Sequence, residues 1–250
     1  MIQMPTDANP VTVVNADCLE VLRELPDGCV DAVVTDPPYG ISFQSARRIE
    51  TERFNEIAND GAPYVWWLAD VSRLLKPGGC LVCFCRWDTA EAFRLSIGWA
   101  GLKVGAQLVW DRVIHGLGDL TGRPAPQHDT IWFAVKGRYK LPGKRPSSVY
   151  RQQRLGGDEL RHPNEKPVTL MRRLIEDYVP PGGIVIDPFG GSGTTAVAAL
   201  HEGRKCIIIE RDPTYCEIIR RRVKEATDDG LFAVATPEQP SLFTDAENQS

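Results

Sequence analysis

The segment "IVIDPFGGSGTTAVAAL", residues 184–200, contains three elements in direct succession. A short apolar run ends at Asp187, glycines follow, and a run rich in alanine begins at Thr194. This pattern predicts a buried strand, a glycine loop and a helix. Gly191, Gly193 and Ala196 match G-x-G-x-x-A, in which glycines let the backbone approach a ligand and the helix N-terminus favours negative groups. We therefore predict a parallel α/β fold with a ligand site at this loop.

Strands and helices alternate on both sides of this segment, which is typical of a mostly parallel sheet with helices on both faces. Apolar runs of strand length are "VTVVNAD" (11–17), "VDAVVTD" (30–36), "CLVCFC" (80–85), "KVGAQLVW" (103–110), "TIWFAVKG" (130–137) and "KCIIIERD" (205–212). Helical periodicity is found in 18–28, in 64–79 up to a Pro-Gly-Gly stop, in 89–101, within 162–183 and in 213–227.

Composition and length limit the class of protein to which the chain can belong. The chain has 250 residues, a formal net charge of −4 and seven scattered cysteines. Scattered cysteines fit reduced thiols better than a disulfide framework, and no apolar run approaches the roughly 20 residues of a membrane span. The N-terminus lacks the basic and apolar regions of a signal peptide. We expect a soluble intracellular protein with one domain over residues 1–235 and a flexible tail over 236–250.

The glycine loop by itself leaves its ligand open. Glu210 ends the next predicted strand, where dinucleotide folds carry the acid that binds ribose hydroxyls. A nicotinamide, a flavin and S-adenosylmethionine (AdoMet) all satisfy this pattern. A tight packing turn between strand and helix is the structural alternative.

The tetrad Asp36-Pro37-Pro38-Tyr39 follows the predicted strand 30–36. Prolines fix their own φ, restrict the preceding residue to extended conformations and offer no N–H. The tetrad therefore presents two fixed acceptors, the Asp36 carboxylate and the Pro37 carbonyl, beside the ring of Tyr39. Two acceptors suit the two N–H groups of an aromatic amine, because accepting both bonds frees the nitrogen lone pair for attack. A base that leaves the duplex stack also needs a π-stacking partner, for which Tyr39 is the candidate.

Four motifs, taken together and in this order, resemble a known family, the AdoMet-dependent DNA amino-methyltransferases that carry DPPY in their permuted β-class arrangement. The resemblance covers roughly residues 11–225. It implies a Rossmann-like class I methyltransferase fold with a seven-stranded sheet and a circularly permuted motif order. The motifs are "NADCLEVLRELPDGCVDAVVTDPPYG" (15–40), "HPNEKP" (162–167), "DPFGGSGTT" (187–195) and "KCIIIERDPTYCEIIRRR" (205–222).

The resemblance also implies roles for individual residues. Asp36 and Pro37 grip the target amine, with Pro38 and Tyr39 completing the catalytic tetrad. Glu210 binds the ribose of AdoMet, and Lys166 approaches its carboxylate. The other cofactor residues are Asp17 and Cys18 at the adenine, Asp36 and Asp187 at the strand ends, and Phe189, Gly190, Gly191, Ser192, Gly193 and Thr194 in the loop.

Double-stranded DNA is the implied partner, and two stretches, about 41–63 and 111–161, are available for target recognition. The second contains a block of seven basic and no acidic residues over 136–154, which indicates phosphate contact; a solvated loop is the alternative. Because the recognition region is short, we expect a homodimer. The candidate DNA-binding residues are Gln44, Ser45, Arg47, Arg48, Arg112, His115, Lys140, Lys144, Arg145, Arg151 and Arg154.

The leading hypothesis is methylation of adenine N6. The alternatives are N4-cytosine methylation and, from another class, a non-catalytic module that binds AdoMet and DNA. The family's cytosine members more often carry Ser at position 36, which favours adenine. A nicotinamide oxidoreductase leaves the tetrad unexplained. The resemblance implies a cytoplasmic enzyme of a bacterium or phage that acts on the nucleoid.

Two further motifs have competing interpretations. Cys80 and Cys83 form C-x-x-C, but zinc needs two more ligands, so we expect core cysteines and no metal. The tail motif "QPSLF", Gln239 to Phe243, is similar to the short peptide by which bacterial proteins dock on the replication sliding clamp. An inert tail is the alternative.

Overall fold

Strands and helices alternate along the chain in the computed structural model, which describes residues 2–39, 63–115, 121–122, 124–156 and 165–228. Among these residues, none of the helices combines the length and the apolar composition that crossing a membrane requires. In chain order the elements are β1 Val11–Asn15, α1 Cys18–Glu24, β2 Val30–Thr35, α2 Leu68–Leu74, β3 Leu75–Cys85, α3 Ala90–Trp99, β4 Lys103–Asp111, β5 His128–Val135, β6 Val149–Arg151, α4 Val168–Tyr178, β7 Ile184–Asp187, α5 Thr194–His201, β8 Lys205–Glu210 and α6 Pro213–Asp228.

All of these strands belong to one sheet, in the order β1-β8-β7-β2-β3-β5-β4-β6. Only β5 runs against the others, pairing antiparallel with β3 and β4, so the prediction of a mostly parallel sheet is confirmed. The predicted number of seven strands is wrong, because the described residues form eight. The additional strand is the short edge strand β6, which lies inside the basic block and pairs with the end of β4.

Helices cover both faces of the sheet, as predicted. Along β2, Val33 packs in one apolar cluster, whereas its neighbours Ala32 and Val34 pack in the other. The first cluster includes buried side chains of α1, α2 and α3; the second includes those of α4, α5 and α6. Each fully buried aliphatic side chain stabilises such a core by about 1.5–3 kcal/mol. The two faces are thus covered by the helices of the two halves of the chain.

The predicted helix over 64–79 is wrong at its C-terminal end. Helix α2 covers only Leu68–Leu74, and β3 begins at Leu75. Gly78 has φ +83°, and a Cβ at Gly79 would lie 2.8 Å from the Asp31 carbonyl oxygen, so this segment passes too close to β2 for side chains. The Lys136 ammonium donates to the Leu75 carbonyl at 2.7 Å. Pro-Gly-Gly therefore lies inside a strand and does not end a helix.

The cysteines of the C-x-x-C motif are core residues, as predicted. Cys80, Cys83 and Cys85 are buried in β3. Cys80 packs in the cluster with α4, whereas Cys83 and Cys85 pack in the cluster with α1. Because alternate residues of a strand point to opposite faces, Cys80 and Cys83 lie on different sides of the sheet and cannot share a zinc ion.

Candidate active site

A cavity of about 430 Å³ opens at the carboxyl ends of the parallel strands β1, β2, β7 and β8. This volume lies within the range of small-molecule sites, and this edge is where open α/β sheets bind ligands. Of the predicted catalytic and cofactor residues, Tyr39 and Gly193 do not line the cavity. Those that line it are Asp17, Cys18, Asp36, Pro37, Pro38, Lys166, Asp187, Phe189, Gly190, Gly191, Ser192, Thr194 and Glu210.

Glu210 is held in a fixed orientation at the end of β8. Its two carboxylate oxygens accept hydrogen bonds from the backbone N–H groups of Gly191 and Asp212, both at 2.8 Å. Burial raises the pKa of this carboxyl, while the backbone bonds act in the opposite direction. A carboxylate oriented in this way retains lone pairs with which it can accept hydrogen bonds from ligand hydroxyls.

Two of the glycines have structural reasons to be glycine. A Cβ at Gly190 would lie 2.7 Å from Cγ1 of Ile208. Gly193 precedes α5 with φ +86°, and its Cβ would meet Ile219 at 3.0 Å. The packing alternative therefore applies to these two positions. Gly191 has φ +51°, and it differs from these two because its N–H donates to the Glu210 carboxylate.

Asp187 joins the ends of three elements beneath the cavity. Its buried carboxyl accepts hydrogen bonds from the hydroxyls of Thr35 at 2.7 Å and Thr195 at 2.5 Å, and from the Phe189 N–H at 3.0 Å. Burial raises the pKa of Asp187 to about 7, although all three bonds act against that shift. The residue thus holds β2, β7 and α5 together.

An aromatic wall closes the side of the cavity next to the glycine loop. The ring of Phe189 makes edge-to-face contacts with Tyr64, at 6.0 Å between ring centroids, and Trp67, at 5.3 Å. Tyr64 and Tyr215 also line the cavity, and neither was predicted as a site residue. Flat rings of this kind suit a heteroaromatic ligand.

The loop after β1 also lines the cavity, close to Tyr64. The Asp17 side chain caps α1 by accepting from the Leu19 N–H at 2.9 Å. Burial raises the pKa of the Cys18 thiol to about 12, so it remains a neutral thiol. Both residues line the cavity where the resemblance implies the adenine.

The Asp36 carboxylate already has two donors from the protein. One oxygen accepts from the Tyr39 hydroxyl and the other from the Lys166 ammonium. Burial raises the pKa of the Asp36 carboxyl, and the Lys166 charge is the largest influence in the other direction. Burial also raises the pKa of Tyr39, whose hydroxyl therefore stays protonated as a donor. Tyr39 is only 7% exposed; its stacking role stays a prediction.

Lys166 lies in a box of three aromatic rings. Its Nζ is 5.1 Å from the ring centroid of Phe84, 5.7 Å from that of Tyr39 and 5.9 Å from that of Trp110. Cations are attracted to ring faces within about 6 Å. The residue lines the cavity, as the cofactor prediction requires, but its ammonium contacts Asp36.

A buried ion pair next to Lys166 was not predicted. The Arg222 guanidinium contacts the Glu165 carboxylate at 2.9 Å, and their side chains are 7% and 1% exposed. Arg222 also donates to the Ser192 carbonyl at 2.8 Å and the Ser192 hydroxyl at 3.0 Å. A sequence signal existed, because Arg222 continues the apolar stripe of Cys216 and Ile219 on α6. A charge in a buried stripe indicates a buried partner.

The candidate DNA-binding residues divide into three groups. Arg112 is half-buried, 3.8 Å from Asp129. Gln44, Ser45, Arg47, Arg48 and the tail motif lie outside the described residues. The exposed candidates are His115, Lys140, Lys144, Arg145, Arg151 and Arg154.

The basic block reaches both sides of the sheet along the strand direction. We call the side at which the parallel strands begin the amino edge, and the side at which they end the carboxyl edge. Its beginning lies at the amino edge, where the Tyr139 hydroxyl donates to the Tyr178 carbonyl at the end of α4. Its end returns through β6 to the carboxyl edge, where Arg151 pairs with Asp111 at 3.7 Å. Lys136, the first residue of the block, donates its ammonium to the Leu75 carbonyl and so contributes to the fold. Strands β5 and β6 both lie within 111–161, so the loops around them are the part of this predicted recognition stretch that does not belong to the sheet.

Comparisons relate the sequence and the fold of this chain to known proteins. A sequence model of a DNA methylase family matches residues 30–221. A candidate methylase, YubD of Escherichia coli (strain K12), is 34% identical over 203 residues, covering 79% of this chain and 83% of YubD. The crystal structure of the M1.HpyAVI–SAM complex superposes with a TM-score of 0.65 at 25% identity, covering 85% of this chain and 99% of that one. The PvuII DNA methyltransferase (cytosine-N4-specific) gives 0.69 at 19% identity, covering 92% and 94%.

Proposed function

Because this chain belongs to the DNA methylase family, we propose that it transfers the methyl group of AdoMet to the N6 amine of a flipped-out adenine in double-stranded DNA. The observation that carries this proposal is the pair of acceptors at the cavity, the Asp36 carboxylate and the Pro37 carbonyl. Asp36 is positioned by Tyr39 and Lys166, and the two prolines restrict the backbone on either side of the Pro37 carbonyl.

The residues around the cavity fit AdoMet, the cofactor found in a solved relative. The oriented Glu210 carboxylate suits the ribose hydroxyls, and the wall with Phe189 and Tyr64 suits the adenine beside Asp17. The hydroxyls of Ser192 and Thr194 offer polar partners elsewhere along the glycine loop. When bound, AdoMet supplies an electrophilic methyl group.

Asp36 and Pro37 act on the amine of the target base. Each accepts one N–H bond, which draws the nitrogen lone pair out of conjugation with the ring and directs it away from both acceptors. A carboxylate oxygen offers more than one lone pair, so Asp36 can accept this bond while Tyr39 and Lys166 remain in place. A fixed carboxylate is most effective as positive charge develops on the nitrogen. Tyr39 is the stacking partner for the extruded base.

Adenine is favoured over cytosine because position 36 carries Asp. A charged acceptor forms stronger bonds than a neutral one, and the family's cytosine members more often carry Ser there. N4-cytosine methylation is the alternative, since that amine also has two N–H groups. Identification of the modified base distinguishes the two reactions.

Three further features complete the proposal. The short recognition region implies a homodimer on DNA, which multi-angle light scattering at micromolar protein detects.

The segment Gln239 to Phe243 docks on a bacterial sliding clamp, which fluorescence polarisation of a tail peptide measures. The enzyme acts in the cytoplasm, on the nucleoid.

Long-read modification sequencing tests the activity. DNA from a methylation-free host expressing this chain should carry N6-methyladenine in one sequence motif. Asp36→Ala should reduce methylation by about a hundredfold or more, the scale of losing one fixed transition-state contact. Glu24→Ala, at an exposed carboxylate of α1, is the matched control and should leave the motif fully modified. A folded, AdoMet-binding wild-type protein that leaves the host DNA unmodified would contradict the proposal.

A further inference from the structure

A buried arginine of α6 lies behind the glycine loop. The Arg222 guanidinium donates to the Ser192 carbonyl at 2.8 Å, to the Ser192 hydroxyl at 3.0 Å and to the Thr194 hydroxyl at 3.4 Å. Ser192 and Thr194 line the cavity, whereas Arg222 does not. One side chain outside the cavity therefore contacts two hydroxyls that line it.

The charge of Arg222 is balanced by Glu165, which lies just before α4. Their side chains are 2.9 Å apart, and that of Glu165 is 1% exposed. Glu165 also lines the cavity, where an uncompensated negative charge would repel an anionic ligand. The ion pair therefore neutralises this side of the cavity. It also connects three separate segments: the residues before α4, the glycine loop and α6.

The contacts of Arg222 determine how the two hydroxyls act towards a ligand. A guanidinium has only donors, so the hydroxyl oxygens of Ser192 and Thr194 are acceptors towards it. These oxygens are 3.4 Å apart, so one hydroxyl can donate to the other. At least one of their two protons then remains for a ligand in the cavity. A donor at this position suits a carboxylate, because bonds to a charged acceptor are the stronger ones.

From this arrangement we infer that Arg222 is a positioning residue for the cofactor: it holds the glycine loop so that the hydroxyls of Ser192 and Thr194 donate to the carboxylate of AdoMet. The inference rests on the proposed use of AdoMet in methyl transfer. It adds a side chain outside the cavity to those that determine cofactor affinity. The adenosine half of AdoMet lies instead with Glu210, which the Asp212 N–H also holds.

The test compares two probes that differ only in the methionine chain. S-adenosylhomocysteine keeps the amino and carboxylate groups, whereas 5′-methylthioadenosine has a methyl group in place of that chain. Both are uncharged at sulfur, and calorimetry with the full chain measures both dissociation constants. A protein whose cavity has simply been distorted should lose affinity for both probes, whereas a misplaced pair of hydroxyls should affect the first probe alone.

Two variants remove the contacts of Arg222 in different ways. Arg222→Met combined with Glu165→Leu leaves no uncompensated charge of this pair buried. Arg222→Lys keeps Glu165 and the positive charge, but its single nitrogen cannot reproduce the planar fork of donors. In both, the dissociation constant for S-adenosylhomocysteine should rise about tenfold, the scale of one or two hydrogen bonds. That for methylthioadenosine should stay within about twofold of wild type, and Arg221→Met, at an exposed arginine of α6, should change neither.

Three results would overturn the inference: unchanged binding of S-adenosylhomocysteine, equal weakening of both probes, or a loss confined to the double variant, which would assign the effect to Glu165. Thermal unfolding identifies a variant that has not folded, and Arg222→Lys alone decides if the double variant fails in this way. Because these measurements contain no DNA, a wild-type protein that binds S-adenosylhomocysteine but methylates no DNA argues against the proposed methyl transfer and not against this role of Arg222.

Discussion

Asp187 is the residue whose burial has the clearest consequence for stability. Its carboxyl ionises near pH 4 in an unfolded chain, whereas burial raises the pKa to about 7 in the folded protein. Between these values the folded state binds one more proton than the unfolded state. Raising the pH through this window therefore lowers the free energy of unfolding.

Asp187→Asn should remove this dependence, because an amide resembles the protonated acid in shape and does not ionise. We expect the stability of the variant, relative to wild type, to increase as the pH rises from about 4 to 7. Thermal unfolding of AdoMet-free protein across that range measures it. Glu24→Gln at an exposed position is the control, and a variant that follows the wild-type curve at every pH contradicts the assignment.

At the scale of elements, helix α6 depends on one buried charge. Arg222→Met leaves Glu165 without its guanidinium partner, which should destabilise the protein by about 3–5 kcal/mol in urea unfolding. Arg221 is the matched control on the same helix, because it is exposed and lies 3.9 Å from Glu225. Arg221→Met should change stability by about 0–1 kcal/mol.

A double variant separates the ion pair from simple packing at Arg222. Arg222→Met combined with Glu165→Leu removes both charges and should recover most of the lost stability, because no uncompensated charge stays buried. Equal losses in Arg222→Met and Arg221→Met would contradict this account.

The elements also show what the sequence could predict. Apolar runs and the glycines that bound them were sufficient to predict β2, β7, α5 and β8, because a local sequence pattern determines each of these elements. The strand β6 was not predictable in this way, since three residues, Val149–Arg151, pair only through contact with β4. The end of α2 was missed for a related reason: Gly78 and Gly79 lie inside β3, where Gly79 passes close to the Asp31 carbonyl of β2.

The candidate active site shows the same difference between what a local sequence pattern predicts and what depends on contacts between distant segments. Residues that belong to motifs, such as Asp36, Phe189 and Glu210, were located from sequence and line the cavity. The contacts that these residues make with one another were not predicted. The contact of Lys166 with Asp36 joins residues 130 positions apart, and that of Arg222 with Ser192 joins residues 30 apart. Such pairings depend on how the sheet assembles, which no local pattern records.

At the scale of the whole molecule, the topology decides which basic residues lie on the side of the sheet where the cavity opens. Arg151 and Arg154 are exposed at and after the end of β6, at the carboxyl edge where the cavity opens. Arg138 and Lys140 are exposed at the opposite edge, on either side of Tyr139. A duplex that presents a base to Asp36 therefore lies nearer to the first pair than to the second.

Arg151→Gln combined with Arg154→Gln should weaken DNA binding and reduce its salt dependence. Each phosphate contact contributes about 0.9 to the slope of log K against log salt, so the loss of two should lower the slope by about 1.8. Fluorescence anisotropy with labelled duplex across a salt series measures this change. Arg138→Gln with Lys140→Gln removes the same net charge at the opposite edge and should leave the slope near its wild-type value. Equal slopes for the two double variants would mean that the basic block acts through its overall charge, and that the edge at which a residue lies does not matter.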